Sequence, residues 1–128
     1  MSDWLQLVAR LLLAQIFLGA GVLQLAQRDA TLQQIATRVS GPLVPLFLVG
    51  AVLVELIGGA ALVVGFRATW AAALLAAWVL AATTLYHTDF RQPFQADLFA
   101  KDLAIAGGLL LVAAFGAGRI SLDALLGF

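Results

Sequence analysis

Four long apolar runs limit what this chain can become: about Trp4–Ala26, Leu43–Gly65, Ala68–Tyr86 and Leu98–Gly116. Each is close to the roughly 20 residues a helix needs to cross a hydrocarbon core. In lipid every backbone N–H and C=O must be satisfied within the span, so each run reads as a helix. The connections are short, so the expected fold is all-α. It is an integral membrane up-down four-helix bundle, one domain over residues 1–128, with both termini on the same side.

Composition agrees. Of 128 residues, 63% are hydrophobic and 11% charged, against about 45–50% and about 25% in soluble domains. A soluble fold of this length would have nothing left to solvate its surface. The formal net charge is +0 with no basic block, which argues against a nucleic-acid partner. The absence of cysteine excludes disulfides, thiolate nucleophiles and iron–sulfur clusters. A single histidine excludes a bis-histidine haem within one chain. Any electrons that pass through such a protein must be carried by something else.

The connections carry their own signals. In "RDATLQQIATRVSGP", Arg28 to Pro42, Asp29 is a plausible N-cap and Gly41-Pro42 a stop. Between them Leu32, Ile35, Ala36 and Val39 follow i, i+3, i+4, i+7 spacing, which predicts a short amphipathic helix on the membrane surface. "GFRATW" is a tight turn. The third connection holds His87 and Pro93, and the proline breaks the helix. Trp4 and Trp70 fall at the terminus-side interface, and Tyr86, Phe90 and Phe94 at the other. Gly58-Gly59 and Gly107-Gly108 are the expected points of closest helix approach. Asp3 in front of the first run and Arg10 inside it argue against a cleaved signal peptide.

Charge at membrane depth costs at least about 2.5–3.5 kcal/mol per residue, so each instance asks for a partner or a task. Glu55 lies near the middle of the second span, with Gly58, Gly59 and Leu62 on its face. Arg10 is near enough in depth to suggest a buried pair with it, as either a register lock or part of a ligand site. A second polar group spans the third connection. His87 closes one helix, while Asp97, Lys101 and Asp102 open the next, with Gln92 and Gln95 between them. Interfacial solvation and capping explain such residues in one reading. In the other, they bind a quinone carbonyl or a polar head group and exchange protons with it. No metal-ligand spacing, nucleotide loop or hydrolase constellation is present.

Several blocks resemble the DoxX family of small four-helix membrane proteins. They are "RLLLAQIFLGAGVLQL", "VELIGGAALVVGFRATW", "TTLYH" and "FAKDLAIAGGLLLVAAFGAGRISLD". The likeness runs from about Arg10 to Asp123. It implies links to quinone-dependent respiratory and sulfur-oxidising complexes, and to a membrane-anchored oxidoreductase assembly handling oxidative stress. It also implies recurrent polar positions at Arg10, Glu55, His87, Lys101, Ser121 and Asp123, and cytoplasmic termini in the inner membrane. A crude count of basic residues leans the other way. Asp102 stands where the family usually has asparagine, and Gln24 where it has lysine. Gly116-Ala117-Gly118 replaces a Gly-Pro-Gly. The extra anion beside Lys101 counts against an anionic ligand.

The leading expectation is therefore an accessory membrane subunit that binds quinone or a lipid-like ligand, without catalytic activity of its own. Its partners would be a second copy or an oxidoreductase. The residues proposed for the ligand are Glu55, His87, Lys101, Asp102, Gln95 and Arg10, with no metal. A structural scaffold is the alternative, and a small transporter the third.

Overall fold

The computed structural model describes residues 2–128, and these are entirely helical apart from turns and short connections. Six helices follow in order: α1 Asp3–Ala26, α2 Arg28–Ala36, α3 Leu43–Val64, α4 Ala68–Tyr86, α5 Gln95–Phe115 and α6 Leu122–Leu126. α1, α3, α4 and α5 are each long and apolar enough to cross a membrane. The expected four-span, all-α architecture is what the chain adopts. α2 and the loop before α5 lie at one end of the bundle, called here the far end. The α3–α4 turn and the C-terminal tail lie at the other, the terminus end.

Local chemistry sets the helix limits. Pro45 sits in the first turn of α3, where its missing N–H has no intrahelical acceptor to lose. Gly65 closes α3 in the left-handed region, at φ 72°, a conformation glycine adopts without a Cβ penalty. α5 starts three residues earlier than the apolar pattern predicts. Phe94, at φ 67°, turns the chain after Pro93 and accepts the Leu98 N–H at 2.9 Å.

α1 packs most closely on α3 and α4 on α5, and the α3–α4 contact joins the two pairs. The core is small-sided: Ala14, Ala68, Ala72, Ala76 and Ala106 are buried with Phe17, Leu62, Leu75 and Leu109. Small residues let the helices approach closely, which is how spans associate where hydrocarbon itself gives no drive. A Cβ on Gly58 would meet Leu75 of α4 at 2.9 Å, and one on Gly59 would meet Leu18 of α1 at 2.9 Å. That pair therefore seats α3 between two neighbours, as expected. The second pair behaves differently. Gly108 faces Leu13, but Gly107 has nothing within 4 Å. Successive helical residues point about 100° apart, and only one of this pair meets a neighbour.

The outer surface is apolar. Leu12, Leu46, Ile57, Val22 and Trp70 are among many large hydrophobic residues that are mostly exposed, a surface suited to lipid and not to water. α2 is the short helix expected between the first two spans. Ile35 is buried against Leu48 and Val52 of α3, with Leu32 and Val39 beside it, while Ala36 is exposed. The apolar stripe thus docks onto the bundle and covers its far end.

Candidate functional site

Arg10 and Glu55, expected to pair, do not. Arg10 is 1% exposed and turns towards the terminus end. Its Nη1 donates to Leu62 O at 2.8 Å and to Val63 O at 3.3 Å, and its Nη2 donates to Ile120 O. Leu62 and Val63 belong to the last turn of α3, where carbonyls lack intrahelical partners and the helix dipole is negative. A planar guanidinium satisfies several such oxygens at once. The same end is tied down by Asp123. Its carboxylate accepts the Arg67 N–H at 2.5 Å and the Ala68 N–H at 2.9 Å, and its own N–H donates to Gly65 O at 2.9 Å. Arg67 has a left-handed backbone and no side-chain cap to offer, so a residue 55 positions away caps α4. Ser121 caps α6 by accepting the Ala124 N–H.

Glu55 has a different set of partners. It is 5% exposed, and its Oε1 accepts from Gln24 Nε2 at 3.2 Å and from Trp78 Nε1 at 3.1 Å. Three helices, α1, α3 and α4, therefore meet at one oxygen. Oε2 has no hydrogen-bond partner within the protein, and the same holds for Gln24 Oε1, Tyr86 OH, His87 Nδ1 and Gln95 Oε1. Two cavities flank this carboxylate. One, of about 150 Å³, is walled by Gln24, Phe47, Glu55, Trp78, Tyr86 and His87, with Gln34 of α2 at its edge. The other, of about 240 Å³, lies towards α5 and reaches Phe17, Val79, His87 and Asp102. Glu55, Trp78 and His87 border both.

Of the residues singled out from sequence, Glu55, His87 and Asp102 are brought together. His87 Nε2 lies 3.9 Å from Asp102 Oδ2, an electrostatic contact too long for a direct hydrogen bond. Gln95 is partly buried near the same end but borders neither cavity. Lys101 is exposed, and among the described residues it forms no ion pair with Asp97 or Asp102. Arg10 belongs to the opposite end. In the connecting loop Asp89 pairs with Arg91 at 3.0 Å. That hydrogen bond holds the Asp89 carboxyl below its ordinary value, with a smaller contribution from Arg38.

Trp78 is the site residue that sequence reasoning missed. A tryptophan in mid-span reads as hydrophobic bulk, although a buried indole N–H regularly needs an acceptor. Its position on an apolar helix, in a bundle with one buried acid, was the available signal. Gln24 was visible only as a departure from the family pattern.

The comparisons with known proteins agree with this architecture. The DoxX family pattern matches residues 5–88, which covers the first three spans. The chain is 36% identical over 121 residues to the inner membrane protein YqjF of Escherichia coli (strain K12), covering 94% of this chain and 90% of that protein. No solved structure matches it. Four spanning helices, the family pattern and a near full-length relative make the chain a member of the DoxX family, a small multi-pass inner-membrane protein.

Proposed function

We propose that this protein is an accessory subunit of a membrane oxidoreductase system, without catalytic activity of its own, that holds the head of a quinone or lipid-like ligand at the far end. One observation carries the reading: buried polar atoms without a protein partner converge on cavities beside Glu55. Such an atom costs about 1–3 kcal/mol if nothing bonds to it, so a bundle that retains several in one place has a use for them. Glu55, His87 and Asp102 are the binding residues. Lys101 and Gln95, at the same end but outside both cavities, would meet the ligand's polar head from the loop side, and Arg10 supports the fold from the other end. The termini lie in the cytoplasm, and the bundle works beside a second copy or a partner oxidoreductase.

The test is a lipid extract of the protein purified from membranes, analysed for quinone and lipid near one molecule per chain. Retention should fall in Glu55→Gln and His87→Ala. An extract without any such molecule, or retention unchanged in both folded variants, would overturn the proposal.

A scaffold is the second reading. It is favoured by the terminus end, where Arg10 and Asp123 bond only to main chain. Under that reading Glu55→Gln changes stability and leaves the extract unchanged.

A further inference from the structure

We infer that the cavity between Glu55 and Tyr86 receives a small organic cation, an alkylammonium group carried on a lipid head or on a free amine. This rests on the reading of that cavity as a ligand site, and takes the lipid-like alternative over the quinone.

Three aromatic rings bound the space. Phe47 of α3 lies 5.5 Å from Trp78, tilted at 45°, and 6.3 Å from Tyr86, edge to face at 79°. Ring faces are electronegative and attract an ammonium within about 6 Å of the centroid, most strongly when water is excluded. A cavity of about 150 Å³ is the size that accepts one benzene-sized group.

Glu55 is the acid that would carry the charge opposite such a cation. Glu55 receives two neutral donors on Oε1, and Oε2 is left unpartnered. Among the described residues the close basic–acidic contacts are His87–Asp102 and Arg91–Asp89, so no protein cation pairs with Glu55. Arg10 is held by carbonyls at the other end. Lys101 and Arg38 are exposed. Buried charges in membranes are normally paired, and here the cavity that Glu55 borders is also bordered by Phe47, Trp78 and Tyr86.

Hydrogen-bond polarity points the same way. Gln24 gives its amide N–H to the carboxylate, which fixes that side chain's orientation and leaves its Oε1 unpartnered. Two acceptors, Gln24 Oε1 and Glu55 Oε2, are thus left open beside the Tyr86 hydroxyl, which is also unpartnered. A quinone ring brings two carbonyl acceptors and no donor. An ammonium with N–H groups serves both oxygens, and a quaternary one uses the ring faces and the charge.

Trp78 can report occupancy. Trp4 and Trp70 are exposed on the lipid face, so Trp4→Phe/Trp70→Phe leaves one indole, at the site. The full chain carrying these changes, in an uncharged maltoside, would be titrated with tetramethylammonium, dodecyltrimethylammonium and phosphatidylethanolamine, with decylubiquinone as competitor. A saturable change in Trp78 emission is expected. Binding should weaken about tenfold or more in Glu55→Gln and in Phe47→Leu, the second of which keeps the carboxylate if the first disturbs folding. Saturation by tetramethylammonium identifies a free amine as the source, and saturation by the lipid-borne cations alone identifies a head group. Equal cation binding in both folded variants overturns the inference. Decylubiquinone binding without any ammonium binding also overturns it and leaves the ligand-site reading standing. If neither class binds, both fall.

Discussion

Trp78 donates its indole N–H to Glu55 Oε1 at 3.1 Å, across the α3–α4 contact. Removing one partner of a buried hydrogen bond costs about 1–3 kcal/mol. Trp78→Phe keeps most of the ring and removes the donor. It should lower stability in detergent by about 2 kcal/mol, read by thermal unfolding. In a Glu55→Leu background the same change should cost much less, because the two residues act as one unit. Equal costs in the two backgrounds would show that the bond contributes nothing.

Arg10 is the second quantity to measure. Arg10→Gln leaves carbonyls of Leu62, Val63 and Ile120 without their shared donor, at an expected cost of about 3 kcal/mol. Arg10→Lys should recover only part of this, since an ammonium lacks the planar fork. Limited proteolysis should cut the tail after Gly116 sooner in both variants than in wild type. Cutting at the wild-type rate would place the Arg10–Ile120 bond outside what holds the tail.

Removing the borrowed cap of α4 makes a smaller change. Asp123→Ala should cost about 1–2 kcal/mol, the usual value of a helix N-cap. Asp123→Asn should cost less, since its amide oxygen still accepts one of the two N–H groups. Unfolding midpoints of the three proteins, in that order, check the ranking.

The two glycine pairs give a paired test. Gly59→Ala puts a Cβ at 2.9 Å from Leu18 and 3.4 Å from its backbone N, and should cost about 1–3 kcal/mol through overpacking. Gly107→Ala meets open space and should be tolerated. If the two behave alike, close approach does not govern either position.

Asp89 carries the pH prediction. Its carboxyl is held below its ordinary value of 3.8, chiefly by the hydrogen bond from Arg91. A depressed folded value means that the favourable contribution is present above the unfolded value and is lost as pH falls through the folded one. Carboxyl chemical shifts should show Asp89 titrating below pH 3.8 and moving back up in Arg91→Gln. Because Asp89 is on the surface, unfolding midpoints near neutral pH should hardly respond.

The spans were legible because bilayer thickness imposes a length that composition alone reveals. Glu55 was legible because a mid-span acid is expensive wherever it points. Partners were harder to read. Arg10 chose main-chain carbonyls, which every residue carries and no sequence pattern marks. Asp123 chose main-chain N–H groups for the same reason. Lys101 looked like a site residue from its neighbours in the chain, but a long cation at a helix end reaches water more cheaply than it turns inward. Trp78 was hidden because its polar atom is one N–H on a large apolar ring.

The clasp at the terminus end has a consequence for the two sides of the membrane. Arg10, Gly65, Asp123 and the tail tie that end together with main-chain bonds, while the cavities beside Glu55 are bordered by α2, His87 and Asp102. The two ends of the molecule are therefore built differently: one is joined through main-chain groups, and the other carries the side chains that gather around Glu55. Fixing the side on which Phe128 lies, by a single accessibility label, therefore also fixes the side on which α2 and the His87 loop lie.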